Sequence, residues 1–110
     1  MSEGEEFTFG VWTWDVDQAQ QAARLVKAQP LPISNLGALI SMGLIYVDAE
    51  HADTVDLDKP ILVAPLPETA THLPIDGWHR IAKALSQGVT ELPAKVLTAE
   101  QAPARRRRTR

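Results

Sequence analysis

One short stretch of the chain carries the residue types that bind a phosphate group. An apolar segment ends at Ile75, a glycine follows two residues later, and a helical pattern begins at once. The glycine lets the backbone turn closely, and the free N–H groups at the start of a helix bind anions. The candidate phosphate-binding residues are Asp76, Gly77, Trp78, His79, Arg80 and Lys83.

Cationic side chains lie in the first turn of this helix, where the helix dipole disfavours positive charge. His79 and Arg80 fall in the first turn, where acidic residues are preferred, and Lys83 follows one turn beyond His79 on the same face. A bound phosphate would remove that conflict. Two other interpretations stay open: Asp76 is only an N-cap with exposed neighbours, and Trp78 packs in the core instead of lining the site.

The sequence around these residues resembles the ParB/sulfiredoxin superfamily. Residues 76–84 read Asp-Gly-Trp-His-Arg-Ile-Ala-Lys-Ala, and residues 88–89 (Gly-Val) and 92–96 (Leu-Pro-Ala-Lys-Val) follow. This is similar to the phosphate-binding motif and the next strand of that superfamily. The helix at 36–43 and the segment 60–63 (Pro-Ile-Leu-Val) are similar to the passage that precedes the motif there.

The resemblance implies a compact sheet with helices and a nucleotide triphosphate, ATP or CTP, bound with or without Mg²⁺. Its phosphates would rest on Gly77, His79 and Arg80. Trp78 stands where sulfiredoxin needs a cysteine, so we do not expect that reductase chemistry. We also expect no counterpart of the helix-turn-helix domain with which ParB reads DNA sequence.

We therefore expect a nucleotide-binding, ParB-like domain that acts as a nucleotide-dependent switch or as a DNA-associated accessory protein. An enzyme on the same fold, either an ATP-dependent phosphotransferase or a nucleotide or nucleic-acid hydrolase, is one alternative. Such an enzyme needs a base and a metal-positioning carboxylate beside the phosphates, and Asp76 is the one carboxylate that the motif supplies. A protein-interaction module that has lost its ligand is the other alternative.

The remaining candidates for chemistry have simpler interpretations. The acidic loop at 48–58 could offer metal ligands, but it lacks the glycine and the closing Glu of an EF-hand, so we predict a solvated loop and no metal site. His72 could line the phosphate cleft, and Glu68 could act as a base only by analogy of fold. Trp12 and Trp14 could stack on a base, but burial in an aromatic-poor core is favoured.

The charges are divided between an acidic body and a basic C-terminus. Residues 1–104 hold six basic and fourteen acidic side chains, whereas the last six residues hold five arginines. The body therefore lacks a broad basic face for duplex DNA, and any contact with nucleic acid would be weak and salt-sensitive. The residues that could make this contact are Arg105, Arg106, Arg107, Arg108 and Arg110.

The overall pattern predicts an α+β domain with about three helices. Strands are expected at 7–15, 44–47, 61–66, 70–75 and 92–98, and helices at 18–28, 34–42 and 76–87. We expect residues 1–6 to be a disordered lead-in, residues 7–98 the domain, and residues 99–110 a disordered basic tail. The chain has no cysteine, no apolar run of membrane-spanning length and an acidic N-terminus, which predict a cytoplasmic protein.

Overall fold

Two sheets and three α-helices make up the described residues, which are 4–48, 50 and 54–107 of the computed structural model. The α-helices are α1 (Val16–Ala22), α2 (Gly37–Ser41) and α3 (Trp78–Ser86), and 3-10 turns cover Ala23–Leu25 and Ser34–Leu36. The strands are β1 (Glu6–Phe9), β2 (Trp12–Asp15), β3 (Gln29–Pro32), β4 (Ile61–Pro65), β5 (His72–Asp76), β6 (Glu91–Val96) and β7 (Ala104–Arg106). The predicted α+β class is confirmed.

The larger sheet carries the predicted motif and lies over the core. Its strand order is β3-β6-β4-β5, with β4 parallel to β6 and the other pairs antiparallel. Strand β4 is buried from Ile61 to Ala64, and it lies inside the sheet with β6 and β5 on its two sides. Strand β5 then leads directly into the turn before α3, which places the candidate residues at the end of this sheet.

The N-terminal aromatic segment is a hairpin instead of the single strand predicted over residues 7–15. Gly10 adopts a left-handed backbone (φ 61°) and reverses the chain between β1 and β2. The reversal puts Phe7 opposite Trp14, with ring centroids 6.0 Å apart, and Phe9 opposite Trp12. Trp14 is fully buried, so the hairpin supplies aromatic bulk to the core.

Two further expectations about local structure are wrong. Residues 44–47 form no strand, because the N–H groups of Leu44 and Ile45 bond to the carbonyl of Leu39 and close the end of α2. Residues 29–32 form the unpredicted strand β3, which tolerates its prolines because it lies at a sheet edge. No helix in the described part of the chain is long and apolar enough to cross a membrane.

The C-terminal segment is also more ordered than the sequence predicts. Ala102 is buried in the core, and β7 pairs antiparallel with β2 in the smaller sheet, whose order is β1-β2-β7. The expected disordered tail over 99–110 is therefore wrong for residues 102–106. Arg108 and Arg110 lie outside the described residues.

Candidate functional site

The turn between β5 and α3 requires glycine at position 77. Gly77 has φ 105°, and a Cβ atom there would lie 2.5 Å from Ile61 Cγ2 and 2.9 Å from Arg80 Nη2. Gly77 is the N-cap residue of α3, and no side chain caps the first turn. The alternative interpretation, in which Asp76 is only an N-cap, is therefore wrong, and the first N–H groups of α3 carry no side-chain cap.

Arg80 is the most constrained of the predicted site residues. Its side chain is only 14 % exposed, its Nη2 donates to Pro60 O at 3.2 Å, and the same nitrogen lies 3.7 Å from Asp76 Oδ2. Its Nε is buried without a hydrogen-bond partner among the described residues. The Arg80 side chain therefore does not face solvent freely, since Asp76 and Pro60 hold the guanidinium against the protein.

The Arg80 guanidinium lines one wall of a cleft that we call the basic cleft. This cleft has a volume of about 410 Å³. Its other cations are Lys59, from the segment before β4, and Lys95 of β6, whose Nζ donates to Ala23 O at 2.9 Å. The complete lining is Gln20, Ala23, Lys59, Pro60, Leu62, Asp76, Arg80 and Lys95.

Three cationic side chains face a single carboxylate in the basic cleft. That carboxylate belongs to Asp76, whose Oδ2 also accepts a hydrogen bond from Gln20 Nε2 at 3.1 Å. The cleft therefore has a net positive charge before any ligand enters. The same arrangement can bind an anion, with Arg80 and Lys95 already oriented by backbone carbonyls.

His79 and Trp78 lie in a different cleft, which we call the acidic cleft, of about 210 Å³. It opens on the other side of the α3 start, between the first residues of β1 and the segment after α2. Asp76 and Gly77 border it as well. The complete lining is Glu5, Glu6, Phe7, Thr8, Leu44, Ile45, Tyr46, Ile75, Asp76, Gly77, Trp78 and His79.

The acidic cleft is poorly suited to a phosphate. His79 Nε2 accepts a hydrogen bond from the Asp48 N–H at 3.2 Å, and a nitrogen that accepts cannot donate to a phosphate oxygen. Burial, with the carboxylates of Asp76 and Asp17 nearby, raises the pKa of Glu5 above its usual value. Because the charged form of the Glu5 carboxyl is already disfavoured, a further negative charge in this cleft would also be unfavourable.

Trp78 belongs mainly to the core. Its side chain is 5 % exposed, and its indole N–H donates to Pro74 O at 2.8 Å. Ile81 and Ala84 are the other buried residues of α3. The indole therefore forms the floor of the acidic cleft and anchors α3 to the larger sheet.

Lys83 does not join the other candidates. Its Nζ donates to Val55 O at 2.7 Å and so ties α3 to the segment before β4. The six predicted residues are thus divided: Arg80 and Asp76 line the basic cleft, Trp78 and His79 line the acidic cleft with Gly77 and Asp76, and Lys83 lines neither.

The other sequence candidates lie outside both clefts. His72 and Glu68 are exposed, and neither is among the residues that line the clefts. No group of three or more metal-binding side chains occurs within the described residues. In the acidic loop, Asp48 and Asp56 accept hydrogen bonds from nearby backbone N–H groups, whereas His51 and Asp53 lie outside the described residues.

Sequence reasoning missed Lys59, Lys95 and Gln20. These residues come from a loop, a strand and a helix that are far apart in the chain. Lys95 was quoted only as part of the family-like strand, and no local spacing links it to Arg80. Only the parallel pairing of β4 with β6 brings it beside the start of β4 and next to Lys59.

Comparison of the chain with family models, with curated proteins and with solved structures finds no match. The resemblance to the ParB/sulfiredoxin superfamily therefore stays a prediction, carried by the residues quoted above.

Proposed function

We propose that this chain binds a nucleotide, with the phosphate groups of the nucleotide in the basic cleft. One observation carries the proposal: Lys59, Arg80 and Lys95, from three separate elements, converge on a cleft that contains one carboxylate. The site keeps Arg80 from the sequence prediction and replaces His79 and Lys83 by Lys59 and Lys95.

The chemistry of the cations favours a phosphate ligand. Arg80 presents a planar fork of donors that fits phosphate oxygens, and lysine ammonium groups add point charges beside it. Arg80 also lies in the first turn of α3, where the helix dipole adds a partial positive charge. A phosphate would compete with Asp76 for Arg80, because their separation of 3.7 Å leaves the guanidinium incompletely bonded.

The size of the cleft favours a nucleotide over inorganic phosphate alone. A volume of about 410 Å³ lies in the range of roughly 300–1,000 Å³ that is typical of small-molecule sites. The resemblance to the ParB/sulfiredoxin superfamily adds ATP or CTP as the expected ligands, with or without Mg²⁺. A cytoplasmic location and a role as a switch or a DNA-associated accessory protein are parts of the same proposal.

Binding without catalysis is the form that we propose. A phosphotransferase or hydrolase would need a free carboxylate or histidine beside the phosphates. In the basic cleft the one carboxylate is that of Asp76, and it is shared between Gln20 and Arg80. We therefore do not assign a catalytic residue, and we expect no turnover of the bound nucleotide.

Calorimetry with ATP, CTP and inorganic phosphate, each with and without Mg²⁺, tests the proposal. We expect saturable binding of a nucleotide and weaker binding of inorganic phosphate. Lys59→Gln should weaken nucleotide binding about two- to five-fold, because an exposed ion pair contributes up to about 1 kcal/mol. Its melting temperature should not change, since the Lys59 side chain is exposed.

The matched control is Lys27→Gln, which removes the same charge at an exposed position outside the cleft. It should bind nucleotide like the unmodified protein. Equal losses of nucleotide affinity in Lys59→Gln and Lys27→Gln would show that the effect depends only on net charge. That result would contradict the proposed site. A complete lack of nucleotide and phosphate binding would contradict the function.

A further inference from the structure

The three arginines at the end of the described chain are held in a fixed arrangement. Arg105 and Arg106 belong to β7, and the backbone N–H of Arg107 donates to Val11 O. Because β7 pairs with β2, the side chains of Arg105 and Arg106 point to opposite faces of the smaller sheet. An extended strand therefore places these cations on defined faces of the sheet, which a flexible tail cannot do.

Arg106 lies on the inner face of this sheet. It is directly opposite Trp12, and its guanidinium carbon is 5.3 Å from the centre of the indole ring. This is the geometry of a cation–π contact. The contact holds the Arg106 guanidinium against Trp12, although Arg106 also borders the cleft on the outer face.

Arg105 and Arg107 lie over the outer face, together with two threonines. Arg105 is directly opposite Thr13, whose hydroxyl is 3.0 Å from that of Thr8. These side chains surround a cleft of about 500 Å³, and Glu6 forms an ion pair with Arg105 at its edge. The complete lining is Glu6, Thr8, Thr13, Arg105, Arg106 and Arg107, which contains no apolar residue.

We propose that this outer face binds the phosphate backbone of a nucleic acid without reading its sequence. Arginine forks and threonine hydroxyls are the groups with which proteins contact nucleic-acid phosphates. The lining offers no apolar side chain for insertion into a lipid surface, which distinguishes the face from a membrane-binding one. Because the rest of the chain is strongly acidic, the contact is confined to this face and depends steeply on salt.

The proposal concerns a surface separate from the basic cleft, and neither site depends on the other. The two share no lining residue. A protein that binds nucleotide but no nucleic acid would retain the proposed nucleotide site and lose both this inference and the DNA-associated role. The reverse result would retain this inference alone.

The experiment is fluorescence anisotropy with a dye-labelled single-stranded DNA, a duplex of the same sequence and, separately, vesicles that contain an anionic phospholipid. We expect saturable binding to DNA of any sequence at low salt. Arg107→Gln should weaken it about two- to five-fold, the range for one exposed ionic contact. The slope of log affinity against log salt should fall by about one.

Arg24→Gln is the matched control, since it removes the same charge at an exposed position outside this cleft. It should change the affinity less than two-fold, and so should Lys27→Gln elsewhere on the surface. Equal losses of affinity in Arg107→Gln and Arg24→Gln would show that net charge alone accounts for the binding, which would overturn the proposal. Tighter binding to the vesicles than to DNA, or no binding to DNA, would overturn it as well.

Discussion

The two clefts on either side of the α3 start share Asp76, yet they have opposite electrostatic character. The basic cleft gathers Lys59, Arg80 and Lys95 around one carboxylate. The acidic cleft gathers Glu5, Glu6 and Asp76 beside a histidine that already accepts a hydrogen bond. The difference shows that the start of a helix does not make an anion site by itself, because the side chains around it decide which ligand can enter.

The contrast has a simple origin in helix geometry. His79 and Arg80 are adjacent in the chain, and successive residues of an α-helix are turned by roughly 100° about its axis. The His79 side chain therefore faces the N-terminal hairpin, and the Arg80 side chain faces the cleft that contains Lys59 and Lys95. A motif that reads as one cluster along the sequence thus supplies residues to two sites.

The largest expected effect is that of Gly77→Ala, a substitution in the turn that separates the two clefts. The new methyl group would meet the buried Ile61 side chain and the Arg80 guanidinium, on a left-handed backbone. Backbone strain and overpacking together should lower the free energy of unfolding by roughly 2–5 kcal/mol. Chemical denaturation of the variant measures this loss.

Gly88→Ala is the control for the backbone contribution. Gly88 has a similar left-handed backbone (φ 77°), but a Cβ atom there would meet nothing within 4 Å. Gly88→Ala should lower the free energy of unfolding by only about 1–2 kcal/mol, the usual penalty for a left-handed residue with a side chain. Equal losses at the two glycines would contradict the tight packing of Ile61 and Arg80 against Gly77.

A smaller effect is expected from Asp76→Asn, which removes the carboxylate that the two clefts share. The net positive charge of the basic cleft would rise, so nucleotide affinity should increase about two- to five-fold, corresponding to up to roughly 1 kcal/mol. Calorimetry measures the change, with Glu100→Gln, at an exposed position outside both clefts, as the charge-matched control. Weaker binding by the Asp76 variant would mean that this carboxylate contributes to ligand binding instead of opposing it.

The smallest effect concerns Glu5 and the pH dependence of stability. Burial and neighbouring carboxylates raise the pKa of Glu5, so the folded chain binds this proton more tightly than the unfolded chain does. Stability is therefore lost as pH rises from the unfolded pKa through the folded one. Glu5→Gln should raise the melting temperature slightly at neutral pH, and the gain should vanish near pH 4, below the unfolded pKa of about 4.3.

Thermal melts across this pH range provide the measurement, with Glu100→Gln as the comparison. A gain for Glu5→Gln that persists unchanged at low pH would point to packing or hydrogen bonding in place of charge. No gain at any pH would mean that the acidic cleft does not penalise the Glu5 carboxylate.

Local sequence signals predicted the elements next to the candidate site. The apolar segment before Asp76, the glycine at 77 and the amphipathic stretch after it correspond to β5, the left-handed turn and α3, although α3 begins at Trp78 instead of residue 76. Trp78 packs in the core, which is one of the interpretations that the sequence left open, and it also borders the acidic cleft. These features were predictable because each depends on the conformational preference or periodicity of adjacent residues.

Features that depend on strand pairing were not predictable in the same way. The sequence pattern predicts one strand where the hairpin at Gly10 forms, because β1 and β2 each show alternation and a two-residue turn leaves only a weak signal. The prolines of β3 argue against a strand, and the arginines of β7 are typical of a solvated tail. The sequence pattern therefore predicts neither strand. In each case the partner strand, which is distant in sequence, decides the structure.

The sequence by itself determined the α+β class, the glycine turn and the candidate helix, since these follow from short-range sterics and hydrophobic periodicity. It also determined that cations accumulate near residue 80 and at the C-terminus. Only the tertiary structure decided that Arg80 is grouped with Lys59 and Lys95, and that Arg105 and Arg106 lie opposite Thr13 and Trp12 in a sheet. The physical reason is that the pairing of β4 with β6 and of β2 with β7 joins residues that no local pattern connects.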